Sequence, residues 1–319
     1  MDRRESKSIS GYKTIMSPIR EPNHSETQCR VCLVKGFNKE ITIKMDEIHD
    51  PLRYAVCPEC NSISLLTNVD EEKIYNNDYY SLQDVNFMKK GFKSLMKRVL
   101  YRTFTKSTLK GGLLVKLADR LTPSEVLKAF AFIDPGKEAS ILDVGSGSGD
   151  FLFRLHLAGY TKLTGLDPNI TSGTVNSVKF IGETLNQVTG TWDIITMNHS
   201  IEHVLEPSTI LQKARTLLNS NGKLLIRTPV IPSFGYFLRH EKWYAFSPPF
   251  HKFVASYEGL QLLLHQNGFR ILKSWRDMSP NNLRELGISG DHKNINRVTA
   301  MLNQHNIGDC VAIVAEAVE

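Results

Sequence analysis

Long apolar runs are missing from this 319-residue sequence. No stretch reaches the roughly 18 to 20 apolar residues that a helix needs to cross a bilayer, and the opening Met1-Asp2-Arg3-Arg4-Glu5-Ser6 lacks the apolar core of a secretory signal. The expected location is therefore cytoplasmic. Cysteine is scarce, with five in all, and without an export signal they argue against a disulfide framework. Internal repeats and low-complexity tracts are absent. A phosphate-binding loop is absent too, because Ser148-Gly149-Asp150 stands where Gly-Lys-Ser/Thr would be needed. What remains is ordinary for a globular chain: 41% hydrophobic and 23% charged residues, enough for one large domain and a small one. The net charge of +6 permits an anionic partner without requiring one.

Four segments follow from composition and pattern. Residues 1–25 are polar, carry Pro18 and Pro22 and show no periodicity, so they read as a flexible tail. Residues 26–68 hold Cys29, Cys32, Cys57 and Cys60, with Ile41, Ile43 and Met45 alternating between the pairs as in a short strand. Residues 69–135 turn helical, with Phe87, Phe92, Leu95, Met96, Val99 and Leu100 at three- and four-residue steps. From 136 to 319 buried strands alternate with helices, the pattern of an α/β protein with a doubly wound, mostly parallel sheet. The spacing predicts strands at 140–144, 162–166, 178–181, 192–198, 223–228 and 269–275, and helices at 149–158, 207–219 and 256–266. The last strand, 309–318, is expected to return antiparallel, after an insertion of helix and loop at 279–308.

The first strand of this region runs Ile141-Leu142-Asp143-Val144 into Gly145-Ser146-Gly147-Ser148-Gly149 and then a helix. Glycines let the backbone approach a ligand closely, and a helix amino terminus offers free N–H donors. The second strand ends in Asp167-Pro168, about 20 residues on, where a carboxylate can accept both hydroxyls of a ribose. Asp143 and Asp150 would repel a pyrophosphate, so the pocket suits a cofactor carrying positive charge; NAD is the second choice.

The segment Asp143 to Gly149 resembles the first motif of class I S-adenosylmethionine-dependent methyltransferases. The resemblance implies a Rossmann-like sheet whose last strand is antiparallel. It places Asp143, Gly145, Ser146, Gly147 and Gly149 against the methionine portion of the cofactor, Asp167 and Pro168 at its ribose, and Gly182, Glu183 and Thr184 at its adenine. Asn198 and His199, ending the fourth strand, would stand beside the methyl group.

Methyl transfer to a hydroxyl or carbon acid needs a proton acceptor, which histidine supplies near neutral pH. His199 and His203, in His199-Ser200-Ile201-Glu202-His203, are the leading candidates, because side chains at strand carboxyl ends face the cleft. The same letters match an inverted zinc-protease motif, but that motif needs one continuous helix, and here a strand ends at about His199. His203 has the alternative of merely packing at a helix start. His251 closes an aromatic, proline-rich stretch whose Trp243 and Tyr244 are candidate walls of a substrate cleft, with Arg239 and His240 as further contacts. Methyltransferases of sugar and polysaccharide pathways are similar in having both a His-x-x-Glu-His segment and a later Pro-x-His, here Pro249-Phe250-His251.

Cys29-x-x-Cys32 and Cys57-x-x-Cys60 supply the four thiolates of a closed structural zinc site, while Cys310 reads as a core residue. The cysteine module and the stretch Glu72 to Tyr80 resemble the amino-terminal region of deoxysugar C-methyltransferases, which usually continue into a further carboxyl-terminal domain. Lysines and arginines crowd residues 89–110, which suits peripheral contact with an anionic membrane or an anionic substrate, although a solvated helix face is the commoner reason for such a run. The expectation is an S-adenosylmethionine-dependent methyltransferase acting on a nucleotide sugar, lipid-linked sugar or glycan. The rivals are a zinc-bearing RNA methyltransferase, for which no aromatic-basic nucleic-acid module is visible, and a cofactor-binding assembly protein without turnover.

Overall fold

The computed structural model describes residues 13–14, 28–45, 48–67, 125–247 and 249–318. The chain begins with β1 (Lys13–Thr14), β2 (Lys39–Met45), β3 (Ile48–Val56) and β4 (Ile63–Leu65). It continues through α1 (Glu125–Ile133), β5 (Ser140–Val144), α2 (Asp150–Ala158), β6 (Lys162–Leu166), β7 (Gly173–Val175), β8 (Val178–Ile181) and β9 (Trp192–Asn198). Then come α3 (Pro207–Leu217), β10 (Leu218–Ile231), α4 (Phe234–Arg239), β11 (Phe253–Ser256), α5 (Tyr257–Gln266) and β12 (Phe269–Asp277). The insertion is helical at α6 (Pro280–Glu285) and α7 (His292–Gln304), and β13 (Cys310–Ala317) closes the chain.

Period-two alternation builds the central sheet. Ile141, Ile194, Leu225, Ala312 and Val314 join one buried cluster with Phe130, Phe151, Leu152 and Tyr160 of the helical layer on that face. Their neighbours Leu142, Ile195, Leu224, Ile226, Val311, Ile313 and Ala315 join the other cluster with Leu211, Ala214, Leu260, Leu263 and Leu264 from α3 and α5. Consecutive strand residues thus bury on opposite faces, which only a sheet covered on both sides can satisfy. The strand order across it is β8-β6-β5-β9-β10-β13-β12, with β5, β6, β8, β9 and β10 parallel and β13 antiparallel to both its neighbours. This is the mostly parallel Rossmann-like sheet with a reversed last strand that the sequence implied. The short β7, pairing antiparallel with β8, was not anticipated.

The cysteine module extends this sheet by hydrogen bonding. The last residues of β10, Val230 and Ile231, pair with β11, and β11 pairs antiparallel with β4, which leads to β3, β2 and β1. Lys13 and Thr14, inside the segment read as a tail, pair with Lys44 and Ile43. A third buried cluster joins Ile41, Ile43, Leu52 and Tyr54 of the module to Trp243, Phe246, Leu283, Ile295 and Leu302 of the later segments. Most of the connector, including the basic run 89–110 and the stretch Glu72 to Tyr80, lies outside the described residues. Among the described residues no helix is long and apolar enough to cross a membrane.

Candidate functional site

The glycine turn sits at the carboxyl ends of β5 and β6. Gly145 N and Ser146 N both donate to Leu166 O, at 2.8 and 3.1 Å, and Gly147 N donates to Asp167 Oδ2 at 3.1 Å. Positive φ at Gly145 and Gly149 (75° and 80°) is only part of the reason for glycine. A Cβ at Gly145 would stand 2.4 Å from Ser200 Cβ, and one at Gly149 would stand 2.5 Å from the Phe180 ring. The turn is therefore pressed against both the β9 loop and β8, where no larger residue fits.

Two carboxylates face this turn, both less than a tenth exposed. Asp167 accepts from Gly147 N and from Asn169 N (2.9 Å), which leaves acceptor capacity on both oxygens. Asp143 accepts from Thr196 Oγ1 at 2.6 Å. Burial, together with the nearby charge of Asp167, pushes the Asp143 pKa up to about 7 against the pull of the Thr196 hydroxyl. Around them Ser146 Oγ, Asn198 Oδ1 and Ser200 Oγ are buried with no hydrogen-bond partner in the protein. Orphaned polar atoms beside buried carboxylates fit a ligand bearing an ammonium and a sulfonium, the groups of S-adenosylmethionine. After β8, where the resemblance implies the adenine, Gly182 N donates to Ser172 Oγ at 2.8 Å. Glu183 lines an open depression with Ser172 and Thr189, while Pro168, Glu183 and Thr184 are exposed.

The Asp143 environment gives a prediction with a defined sign. A carboxyl whose pKa rises from 3.8 to about 7 on folding contributes stability that is complete below the lower value and lost as pH rises through the upper one. The loss is up to about 4 kcal/mol at 1.4 kcal/mol per unit. Asp143→Asn is expected to flatten the fall in melting temperature between about pH 4 and 7 while weakening S-adenosylmethionine binding at least about tenfold. In the wild type, affinity rises with pH through 7 and binding releases a proton. Calorimetry in buffers of different ionisation enthalpy reads both, and proton-neutral binding would contradict the assignment.

Three histidines and a glutamate gather beyond β9. His199 adopts a left-handed φ of 52° and its N–H donates to Arg227 O at 2.7 Å. Its Nε2 meets Arg227 Nη1, and a guanidinium only donates, so Nε2 carries the lone pair and Nδ1 the proton. Nδ1 lies 3.2 Å from Glu202 Oε1, although neither oxygen of Glu202 has a partner in hydrogen-bond geometry. Burial works to raise the Glu202 pKa, but the His199 contact and the charges of His199, His251 and His203 outweigh it and hold it at about 2. Burial pulls His203 down and His251 down to about 3, so these two are neutral near pH 7. The rings of His203 and His251 lie 4.8 Å apart, edge to face.

The sequence places His199 and His203 in one segment and His251 in a distant one, and the structure brings the three together. It puts Trp243 elsewhere: the ring is 1% exposed and donates Nε1 to Asp309 Oδ2 at 2.8 Å. Asp309 also accepts from Gly235 N at 2.7 Å, so it ties α4 to the Trp243 turn. Tyr244 is half-buried, its hydroxyl accepting from Asn282 Nδ2, whereas Arg239 and His240 are exposed. Cys310 is buried, with Sγ 3.9 Å from His199 Nε2. Arg227, Asp277, Thr196 and Asp309 were missed. Arg227 had a signal, a lone charge in the apolar strand Leu224-Leu225-Ile226-Arg227.

The four module cysteines are all buried, with their sulfurs within 4.8 Å of one another. Cys29 and Cys60 sulfurs are 3.7 Å apart, and those of Cys32 and Cys57 are 3.4 Å apart. A tetrahedral ion with bonds of about 2.3 Å separates its sulfurs by about 3.8 Å, so the cluster is close to metal-ready. Both pairs sit in equivalent turns: Leu33 N donates to Cys29 O and Asn61 N to Cys57 O, and Leu33 and Asn61, each just after the second cysteine, have left-handed φ. The inverted-protease arrangement is excluded, because Ile201–His203 is a single 3-10 turn after β9.

Fold and site together define a methyltransferase that uses S-adenosylmethionine. Residues 116–274, a span that includes the glycine turn and its carboxylates, match the family model described as a methyltransferase domain. Solved structures with a similar fold include an S-adenosylmethionine-dependent methyltransferase from Thermotoga maritima, with 17% identity, 69% of this chain and 99% of that chain covered, and a TM-score of 0.45. Another is the magnesium protoporphyrin IX methyltransferase from Synechocystis, with 14% identity, coverage of 78% and 100%, and a TM-score of 0.43. A third is an S-adenosylmethionine-dependent methyltransferase from Mesorhizobium loti, with 12% identity, coverage of 56% and 90%, and a TM-score of 0.40. No curated protein matches the chain.

Proposed function

We propose that the enzyme methylates a saccharide, nucleotide-linked, lipid-linked or in a glycan, and that its cysteine module holds a structural zinc ion. The observation supporting this is convergence. Three features similar to those of sugar-pathway methyltransferases, the cysteine module, the His-x-x-Glu-His turn and the Pro-x-His, meet at one place. β4 pairs with β11, His251 lies just before β11, and its ring touches that of His203. The Arg30 guanidinium of the first cysteine turn donates to Leu205 O at 2.8 Å, locking the module to the histidine loop.

Bound at the glycine turn, S-adenosylmethionine supplies an electrophilic methyl group. Asp143 and Asp167 orient the donor, and close packing of Gly145 on Ser200 sets the histidine loop directly against it. His199 is the imidazole an acceptor can reach, its side chain being 34% exposed. Its Nε2 keeps the lone pair that a proton acceptor needs, exchanging the Arg227 contact for the acceptor's hydroxyl. The four cysteines form a closed ligand set that holds the module folded and takes no part in the transfer.

His199→Ala is expected to lower kcat by about 100-fold or more while S-adenosylhomocysteine affinity stays within a few-fold. Retained turnover would remove His199 from the reaction. Transfer of labelled methyl to a fractionated cell extract tests the substrate. Label in glycan or nucleotide sugar supports the proposal, label chiefly in RNA replaces it with the RNA reading, and donor binding without transfer to any fraction would make the protein a non-catalytic binder.

A further inference from the structure

We propose that Glu202, His203 and His251 form a second metal site, separate from the cysteine cluster and built for a divalent first-row transition ion. One ligand atom from each of the three lies within 4.8 Å of the others. Glu202 and His251 are 1% and 7% exposed, so this is not a patch of surface acids. Both oxygens of the Glu202 carboxylate are buried without a hydrogen-bond partner in the protein, which is costly for a charged group unless an ion or ligand completes it.

The histidines are oriented for ligation. His251 Nδ1 faces Ala245 O at 2.8 Å, and His203 Nδ1 faces Phe250 O at 3.2 Å. A carbonyl oxygen only accepts, so each ring carries its proton on Nδ1 and its lone pair on Nε2. An imidazole fixed by a backbone carbonyl on one nitrogen while the other binds metal is the usual second support of a histidine ligand. The backbone around them is pinned: Phe250 N and His251 N both donate to Ser247 O, and Lys252 N donates to Glu202 O at 2.8 Å. Two imidazoles and one carboxylate on separate segments, loop 201–203 and the turn before β11, make a set that leaves coordination positions open.

The site's place in the fold gives those positions a ligand class. Ser200 packs on Gly145 at the donor turn, and His199 Nδ1 is 3.2 Å from Glu202 Oε1, so the ion would lie in the wall of the reaction cleft. An oxygen of the acceptor is the ligand that fits there. This last step rests on the methyltransferase reading above, whereas the metal site itself does not. The other charge near the cluster is Lys252, buried beside His203, and it offers the competing way to neutralise Glu202.

The test uses the full chain with its cysteine cluster filled by zinc, titrated with Co2+ under dialysis and followed by visible absorption, elemental analysis and calorimetry with S-adenosylhomocysteine. The wild type is expected to take up one further equivalent, without the near-ultraviolet thiolate band that exchange into the cysteine cluster would produce. Glu202→Gln and His251→Gln are expected to keep the zinc and weaken Co2+ binding by more than about 100-fold, beyond what loss of an outer-shell partner costs. No further equivalent in the wild type, or uptake equal in the variants, overturns the site and leaves Lys252 as the counter-charge. If a variant does not fold, anomalous diffraction from Co2+-soaked wild-type crystals decides by the presence or absence of a peak between the three side chains. Failure to bind S-adenosylhomocysteine with Co2+ uptake intact would sink the methyltransferase reading and spare the metal site.

Discussion

Cys29→Ser is expected to abolish zinc retention and to lower the melting temperature of the whole protein, not of the cysteine module alone. Zinc bound by four thiolates contributes about 10 to 16 kcal/mol of apparent binding free energy, most of which is folding free energy. Without the ion, sulfurs held 3.4 to 3.7 Å apart are left with each other and with the neutral donors of their own turns, chiefly backbone N–H groups. The two turns that carry them are then free to separate. The damage spreads because the second turn is sewn to the methyltransferase sheet. Ser256 N donates to Ser62 Oγ at 2.9 Å, and Ser256 Oγ, the cap of α5, bonds both Cys60 O and Gly259 N. Loosening Cys60 therefore loosens β11 and α5, and with β11 goes His251. Elemental analysis and thermal melting with and without a strong chelator check this. A variant that keeps a full zinc equivalent, or an unchanged melting temperature after zinc loss, would show that the cluster does not hold the module.

What the residues disclosed in advance is what local pattern can carry. Consecutive apolar residues such as Ile141-Leu142, Ile194-Ile195 and Leu224-Leu225 mark strands buried on both sides, and each pair lies in opposite clusters. The glycine turn was legible because its spacing and its flanking carboxylates are contiguous in the chain. The cysteine pairs announced a cluster for the same reason. What escaped depends on contacts distant in sequence. The strand that docks the module, Phe253–Ser256, is four residues long, and its partner lies about 190 residues earlier at Ile63 and Ser64. Glu202 stood inside a motif whose histidines drew the attention, and only its burial without a partner marks it as a ligand. Trp243 looked like a cleft wall because aromatic residues beside prolines often are. Asp309, 66 residues later, gives its indole N–H a buried acceptor and draws it inward. The helix expected to run to 219 ends at Leu217, because α3 passes straight into β10: Leu218 already pairs with Trp192, and the pairing is irregular between Leu218 and Lys223.

Arg227→Met is the second large effect expected, and it separates stability from catalysis. Arg227 crosses from the middle of β10 to Asp277 at the end of β12, donating Nε to Oδ2 at 3.1 Å and Nη2 to Oδ1, with β13 between the two strands. Burial alone would lower the arginine pKa, but Asp277, aided by neighbouring acidic groups, raises it above its ordinary value, so the guanidinium stays charged. Removing the guanidinium leaves the Asp277 carboxylate, 2% exposed, without its counter-charge. Breaking a buried pair from one side costs about 3 to 5 kcal/mol. Replacing both partners by apolar groups of similar volume often costs little, so Arg227→Met with Asp277→Leu is expected to recover most of the stability. It is not expected to recover activity. Until an acceptor replaces it, the guanidinium also holds His199 Nε2, setting the ring's tautomer and its aim from a backbone conformation that a non-glycine residue rarely adopts. In the double variant the ring is free to turn, so kcat should stay low while KM for S-adenosylmethionine and the melting temperature approach wild-type values. Denaturation and steady-state kinetics on the single and double variants read the two effects apart. Full return of kcat with stability would mean that Arg227 serves the fold alone, and loss of both in the double variant would mean that the ion pair has no apolar substitute in this sheet.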